Sequence, residues 1–217
     1  MKLAIFDLDN TLINGDSDHA WVEYLIKKGI IHLKYRKIND QFLKDYTYGN
    51  LKIMDYFYFS LRILSKFSLI KLNNLHDQYM KEIIEPIILP KAELLIENHK
   101  SKGKYILIIT ATNKFITQPI ANRLKVDDII ATDIEIKEKK YTGNFIGVPS
   151  FKHGKIIKLK QWLKNNKFDI KGASFYSDSI NDLPLLKFVD YPITVDPDYK
   201  LRNIAKIKNW PIISLRN

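Results

Sequence analysis

The sequence predicts an α/β fold, a doubly wound parallel sheet with a helical segment inserted after its first strand. Three observations lead there. Residues 2–6 (Lys-Leu-Ala-Ile-Phe) form a short apolar run that ends abruptly in polar residues. Tyr105-Ile-Leu-Ile-Ile109 is continuously apolar, as expected for a parallel strand covered by helices on both faces. From residue 86 onward such runs alternate with amphipathic stretches, whereas 14–85 is helical in pattern throughout.

Taken in order, residues 2–6 read as the first strand. Trp21, Leu25 and Ile26 then fall at helical spacing, with Asp16 or Ser17 placed to cap that helix. Tyr46–Ser68 is rich in aromatics, including Tyr56, Phe57, Tyr58 and Phe59, and breaks at Gly49-Asn50. This stripe reads as the core of a small helical unit. Pro86 and Pro90 bracket a boundary, so 14–85 stands as an insertion between a core of 1–13 and one of 86–217. Lys91–Lys102 is an amphipathic helix stopped by Gly103. A helix over about 114–125 leads to a strand at Ile129–Ile136. The Lys139–Gly143 stretch then turns the chain back into Asn144–Val148 as a hairpin. A helix at 154–165, a strand at Ala173–Tyr176 and a last strand at Tyr191–Val195 complete the pattern.

Composition narrows the function. At 217 residues, 46% hydrophobic and with a mean hydropathy of −0.21, the chain is that of a soluble globular protein with length for a sizeable core. No apolar run approaches the roughly 20 residues of a membrane helix, and the N-terminus has no signal-peptide pattern. Cysteine is absent, which removes disulfides and thiolate metal sites, and a cytoplasmic location is expected. The net charge of +11 invites a nucleic-acid reading. Only five of the 35 basic residues are arginines, however, and the lysines are scattered. Their densest group (Lys152, Lys155, Lys158, Lys160, Lys164) lies along one helix. Solvated faces account for this pattern, and no specific nucleic-acid partner is expected. A positive field would still speed the approach of an anionic substrate.

The polar residues at the strand ends carry the chemistry. Alternate side chains of an extended strand share a face, so Asp7 and Asp9 point the same way. Two like charges that close need a cation between them or a proton on one. The second strand ends in Thr110-Ala111-Thr112, and the third in Ser177-Asp178-Ser179-Ile180-Asn181-Asp182. Gly154-Lys155 begins the helix between them. A parallel sheet puts these ends on one edge, where carboxylates, a hydroxyl and a lysine converge. Such a set suits Mg²⁺ and a phosphoryl group. One carboxylate can take the phosphoryl as an acyl phosphate, and another can move the proton.

Four ordered motifs make the chain resemble the haloacid dehalogenase superfamily of phosphohydrolases. They are Asp7-Leu-Asp9-Asn-Thr11, the apolar strand ending in Thr110, Lys155, and the acidic pair Asp178 and Asp182. The resemblance spans essentially the whole chain. It implies a Mg²⁺-dependent phosphomonoester hydrolase with Asp7 as nucleophile and Asp9 as general acid and base. Thr110, Ala111, Lys155 and Asn181 would bind the phosphoryl oxygens. Asp7, the Asp9 carbonyl and Asp178 would ligate the metal, with Asp182 behind them. The insertion at 14–85 is similar to the cap of the phosphoserine phosphatase branch, and Leu12–Trp21 to phosphoserine-phosphatase-like or histidinol-phosphatase-like hydrolases. By that likeness Asp16 would meet a substrate amine, with Asp18 and Glu23 as rival acids, and Arg62 would meet a carboxylate. The alternatives are a helix cap for Asp16 and a solvated face for Arg62. Thr110-Ala111-Thr112 replaces that branch's Ser-Gly-Gly, and Ser177-Asp178-Ser179 replaces Gly-Asp-Gly. The implied substrate is therefore a small phosphorylated metabolite, of the phosphoserine or histidinol phosphate kind, without strict phosphoserine specificity. A phosphotransferase sharing the intermediate, or a basic non-catalytic nucleic-acid binder, are the alternatives. The five histidines (His19, His32, His76, His99, His153) show no metal-ligand spacing and are expected to be structural or surface residues.

Overall fold

The computed structural model describes residues 2–216. Seven strands form one sheet: β1 (Leu3–Phe6), β2 (Tyr105–Asn113), β3 (Asp128–Lys137), β4 (Lys140–Ile146), β5 (Ser174–Ser177), β6 (Tyr191–Val195) and β7 (Ile212–Ile213). Their spatial order is β4-β3-β2-β1-β5-β6-β7, parallel except for β4. Alternation along β1 and β2 serves both faces. Ala4, Phe6, Ile106 and Ile108 feed one apolar core, and Leu3, Ile5, Leu107 and Ile109 feed the other. Among the described residues, no helix is long and apolar enough to cross a membrane.

Strand β1 is central, and its neighbours come from opposite directions of the chain. Phe6 pairs with Ile108 of β2 and Tyr176 of β5, so the ends of three strands share one rim. This reversal of strand order is where open α/β sheets leave a crevice for ligands. Asp7 continues the register, its N–H donating to the Tyr176 carbonyl at 2.8 Å. On the other side β2 slips against β3. Between Ile109 and Asn113 it has two more residues than β3 has between Ile130 and Thr132. The extra length falls on Thr110-Ala111-Thr112, a bulge that re-aims the backbone where the crevice opens.

Between β1 and the helix α5 (Pro90–Ser101) the chain is helical: α1 (Ser17–Lys27), α2 (Tyr35–Thr47), α3 (Ile53–Leu64) and α4 (Leu69–Tyr79), followed by short turns through Ile87. The Asp16 carboxylate caps α1, accepting the His19 N–H at 2.7 Å. Helices α1 and α4 are rooted on the sheet by an aromatic cluster. The Trp21 ring stands 5.5 Å from Phe115 on α6 (Lys114–Arg123), and His76 bonds the Ile116 carbonyl at 3.0 Å. Helices α2 and α3 lie further out, and α3 packs on the β3–β4 hairpin.

Two expectations need correction. The hairpin turns at Glu138-Lys139, both left-handed (φ 48° and 57°), with Gly143 inside β4. Two consecutive positive φ values make the tight two-residue turn that matches strand twist. The sequence hides this because neither residue is the usual Asn or Gly. Nor is Tyr191–Val195 the last strand: helix α8 (Tyr199–Ile207) returns the chain to β7, two residues too short to show alternation.

Helix α7 (His153–Asn166) starts tightly, with Lys152 left-handed at φ 48° and the Gly154 N–H donating to the Phe151 carbonyl. A Cβ at Gly154 would overlap the Pro149 carbonyl oxygen. Since the neighbour is backbone, Gly154→Ala should cost about 2–3 kcal/mol, read as a lower urea midpoint with an unchanged slope. An unchanged midpoint would show that the 149–154 turn is free to move.

Candidate active site

Lys155, one residue past that tight start, is 1% exposed and ends between two carboxylates. Its Nζ donates to Asp7 Oδ1 at 2.9 Å and to Asp182 Oδ2 at 2.8 Å. Ser177 Oγ donates to the same Asp182 oxygen at 2.7 Å. Asp178 is fixed through Thr11, whose hydroxyl donates to Asp178 Oδ1 at 3.0 Å and accepts the Asp178 N–H at 3.1 Å. Thus Asp7, Thr11, Lys155, Asp178 and Asp182 meet at the rim.

The charges there do not balance. Burial pushes the Asp7 carboxyl well up, against the pull of Lys155, and Asp182, Asp178 and Asp9 push it further. Asp178 rises to about 8, chiefly through burial, with Asp182 adding to it despite the Thr11 hydrogen bond. Burial pulls the Lys155 ammonium down, but Asp182 and Asp7 more than offset this and push it up to about 12. Asp7 Oδ2 is buried with no hydrogen-bond partner. Excess negative charge and a bare carboxylate oxygen are what an oxygen-seeking divalent cation relieves, so the residues present fit Mg²⁺.

Asp9 is held differently. Its Oδ1 accepts the Ser17 N–H at 2.6 Å and its Oδ2 accepts the Thr112 hydroxyl at 2.9 Å. Burial and the neighbouring Asp16 lift it to about 6, against these hydrogen bonds. A carboxyl with that value can give a proton and take one back near neutral pH. Thr112 was not foreseen in this role. The signal was its place in Thr110-Ala111-Thr112, on the bulge opposite Asp9.

Above the carboxylates lies a pocket. Asp7, Asp9, Thr110, Ala111 and Thr112 form its floor. Asp16, Asp18, His19 and Asn39 line one side, and Phe42, Leu43, Tyr46, Leu51, Ile53 and Tyr56 of the α2–α3 region cover it. The aromatic stripe is therefore divided: Phe57 is core, whereas Tyr46 and Tyr56 face the pocket.

Two expected site residues lie elsewhere. Arg62 packs its stem beside Gly143 of β4 and lines a separate groove with Tyr35, Phe59 and Lys66. Arg36, also in the insertion, pairs with Glu23 at 2.8 Å. The Asn181 amide is spent on the Tyr46 carbonyl at 2.9 Å, tying the 178–182 loop to α2 instead of reaching the pocket. His19 also differs from expectation: with Glu23 and Asp40 it forms a group of potential ligand atoms within 4.8 Å, brought together across α1 and α2 and invisible as spacing. Its members are already paired, His19 with Asp40 at 2.9 Å and Glu23 with Arg36.

Removing Lys155 leaves two buried carboxylates without their countercharge. Lys155→Met should destabilise the protein by about 3–5 kcal/mol in chelator, and adding Asp182→Leu should recover much of it. Urea unfolding of both variants measures this. Equal stability of wild type and Lys155→Met would mean that the carboxylates do not depend on the ammonium.

Comparison with known proteins agrees with this geometry. The sequence pattern of the haloacid dehalogenase-like hydrolases matches residues 4–187. A histidinol-phosphatase of Neisseria meningitidis serogroup C (strain 8013) is 43% identical over 220 residues, 99% of each chain. A phosphoserine phosphatase of Mycobacterium tuberculosis is 27% identical, over 98% of this chain and 70% of its own. Among solved structures, a Bordetella pertussis Tohama I protein of unknown function superposes with a TM-score of 0.93 at 36% identity, covering 99% and 98% of the two chains. A phosphoserine phosphatase holding a phospho-aspartyl intermediate analogue shares the fold, with a TM-score of 0.74 at 18% identity over 100% and 94%. The chain belongs to the haloacid dehalogenase-like hydrolase family and is a phosphatase within it.

Proposed function

We propose that this phosphatase hydrolyses a small phosphomonoester, of the histidinol phosphate or phosphoserine kind, through an aspartyl-phosphate on Asp7. The observation that carries the reading is the asymmetry of the Asp7 carboxylate. Lys155 holds Oδ1, while Oδ2 is buried without a partner at the floor of the pocket.

An Asp7 oxygen attacks phosphorus as the ester P–O bond breaks, and the Asp9 carboxyl gives its proton to the departing alcohol oxygen. Water then attacks phosphorus, Asp9 takes its proton, and the bond to Asp7 breaks to release inorganic phosphate. The Ser17 N–H and the Thr112 hydroxyl hold Asp9 in place for both transfers. The Lys155 ammonium, now held by Asp7 and by both oxygens of Asp182, would turn an N–H to a phosphoryl oxygen beside the Thr110 hydroxyl. Mg²⁺, held by Asp7, the Asp9 carbonyl and Asp178 with Asp182 behind, would neutralise and orient the phosphoryl group. Residues 14–85 serve as the cap over a core of 1–13 and 86–217, and closure excludes water from the acyl phosphate.

Phosphate release from histidinol phosphate, phosphoserine and p-nitrophenyl phosphate tests the reading, with Mg²⁺ and with chelator. Asp7→Asn should lose about 10³-fold or more in kcat, and Asp9→Asn about 10²–10⁴-fold. Chelator should silence the wild type. Near-normal turnover by Asp7→Asn would rule out the covalent route. Transfer to added alcohols without phosphate release would mark a phosphotransferase.

A further inference from the structure

One buried acid in the pocket has no part in the mechanism above. Asp18 lies in the first turn of α1 and is 2% exposed, and neither of its carboxylate oxygens has a partner in hydrogen-bond geometry, although the Tyr56 and Asn113 side-chain donors lie close by. Its neighbour Asp16 is occupied in capping α1, and His19 is occupied by Asp40. Asp18 lines the same pocket as Asp7, Asp9, Asn39 and Tyr56. A buried, unpartnered carboxylate is costly, and natural chains keep one where something else pairs with it. Burial lifts this one to about 8, with Asp16 and Asp9 adding to the effect although Tyr56 and Asn113 oppose it. A purely structural position would be filled more cheaply by a neutral or apolar side chain.

The charge of the whole pocket points the same way. Four carboxylates line it, and no lysine or arginine does among its described residues. The insertion's two arginines are placed elsewhere, Arg36 on Glu23 and Arg62 in a separate groove. Lys152 donates to the Gly49 carbonyl at 2.9 Å. Lys155, from α7, is committed to Asp7 and Asp182. A substrate carboxylate lodged against this wall would meet acids, with no lysine or arginine beside it away from the phosphoryl end. The remaining wall, with Phe42, Leu43, Leu51 and Ile53, is apolar.

We propose that the leaving group of the substrate carries a protonated amine and an apolar body but no carboxylate, and that Asp18 is the residue that reads the amine. This rests on the hydrolase reading above and goes further, because it divides the two candidate substrate kinds. An amino-alcohol phosphate is accepted and an amino-acid phosphate such as phosphoserine is refused. The Asp18 carboxylate pairs with the ammonium, with the Tyr56 hydroxyl beside it. Discrimination then comes from both signs: an attractive pair for the amine and repulsion for the carboxylate.

Two matched pairs of substrates test this on the wild-type Mg²⁺ enzyme. Phenylalaninol phosphate against 3-phenylpropyl phosphate isolates the amine, and O-phosphoethanolamine against O-phosphoserine isolates the carboxylate. The amine should raise kcat/KM by roughly 30-fold or more, and the carboxylate should lower it by roughly 100-fold. In Asp18→Asn the first ratio should fall toward one. Equal values within each pair, zero included, or a preference for phosphoserine, would overturn the proposal. So would an Asp18→Asn enzyme that keeps the amine preference. If that variant fails to fold, the wild-type pairs decide alone. Asp7-dependent release from p-nitrophenyl phosphate is read in parallel. Its loss refutes the hydrolase reading, whereas its presence with no amine preference refutes only the specificity.

Discussion

A lysine ammonium sealed between two carboxylates is the constraint on which the site depends. Asp7 comes from the end of β1, Asp182 from the turn after β5, and Lys155 from α7, so three separate stretches of chain must arrive within 2.9 Å of one nitrogen. Pairing β1 beside β5 in register supplies the two acids. The tight turn at Pro149–Gly154 supplies the lysine. Such a cluster is a weak source of stability, because desolvating the ions takes back most of what their attraction gives. Its value is positional. With one Asp7 oxygen fixed by Lys155, the other is left as the bare acceptor at the floor of the pocket.

The insertion is fastened unevenly, which bears on how a pocket this enclosed can admit a substrate. Helices α1 and α4 share the aromatic cluster of Trp21, His76 and Phe115 with the core, and the Tyr79 hydroxyl donates to the Ser17 carbonyl at 2.7 Å. Asp16 and Asp18 therefore ride on a rigid base. The end of α2 is held instead by three polar donors: Asn181 on the Tyr46 carbonyl, Lys200 on Tyr48 and Lys152 on Gly49. Cations at a helix C-terminus are worth about 0.3–1 kcal/mol each when exposed. The segment carrying Phe42 and Tyr46 is thus the more lightly fastened part of the wall.

What the sequence disclosed follows the reach of each signal. Asp7, Asp9, Thr110 and Asp178 were legible because each sits at or beside the end of an apolar strand, and a parallel sheet gathers such ends on one edge. Lys155 followed from its place at the start of a helix, although its pairing with Asp182 is a contact across 27 residues that no local pattern records. Arg62 was misplaced because charge type alone says nothing of the face on which a side chain emerges. Asn181 was misplaced for a different reason, since its motif position is right but its amide is claimed by a helix from the insertion. Asp18 was weighed only as a rival to Asp16. Distinguishing them needed the fact that one carboxylate caps a helix and the other is left bare.

A chain of net charge +11 with an acid-lined pocket looks contradictory until distance is considered. At physiological salt the field of surface lysines decays over about 8 Å, so it acts on the encounter and fades at contact. A phosphate ester is drawn in by its dianionic end, which the scattered lysines favour wherever it approaches. Inside the pocket the nearest charges dominate. On the reading proposed above, Lys155 and a cation at Asp7 and Asp178 would favour the phosphoryl end, and Asp18 a positive charge on the leaving group. The two fields would then select for different ends of one molecule. An anionic leaving group would gain from the first field and lose to the second, and the second acts at the shorter range where interactions are strongest.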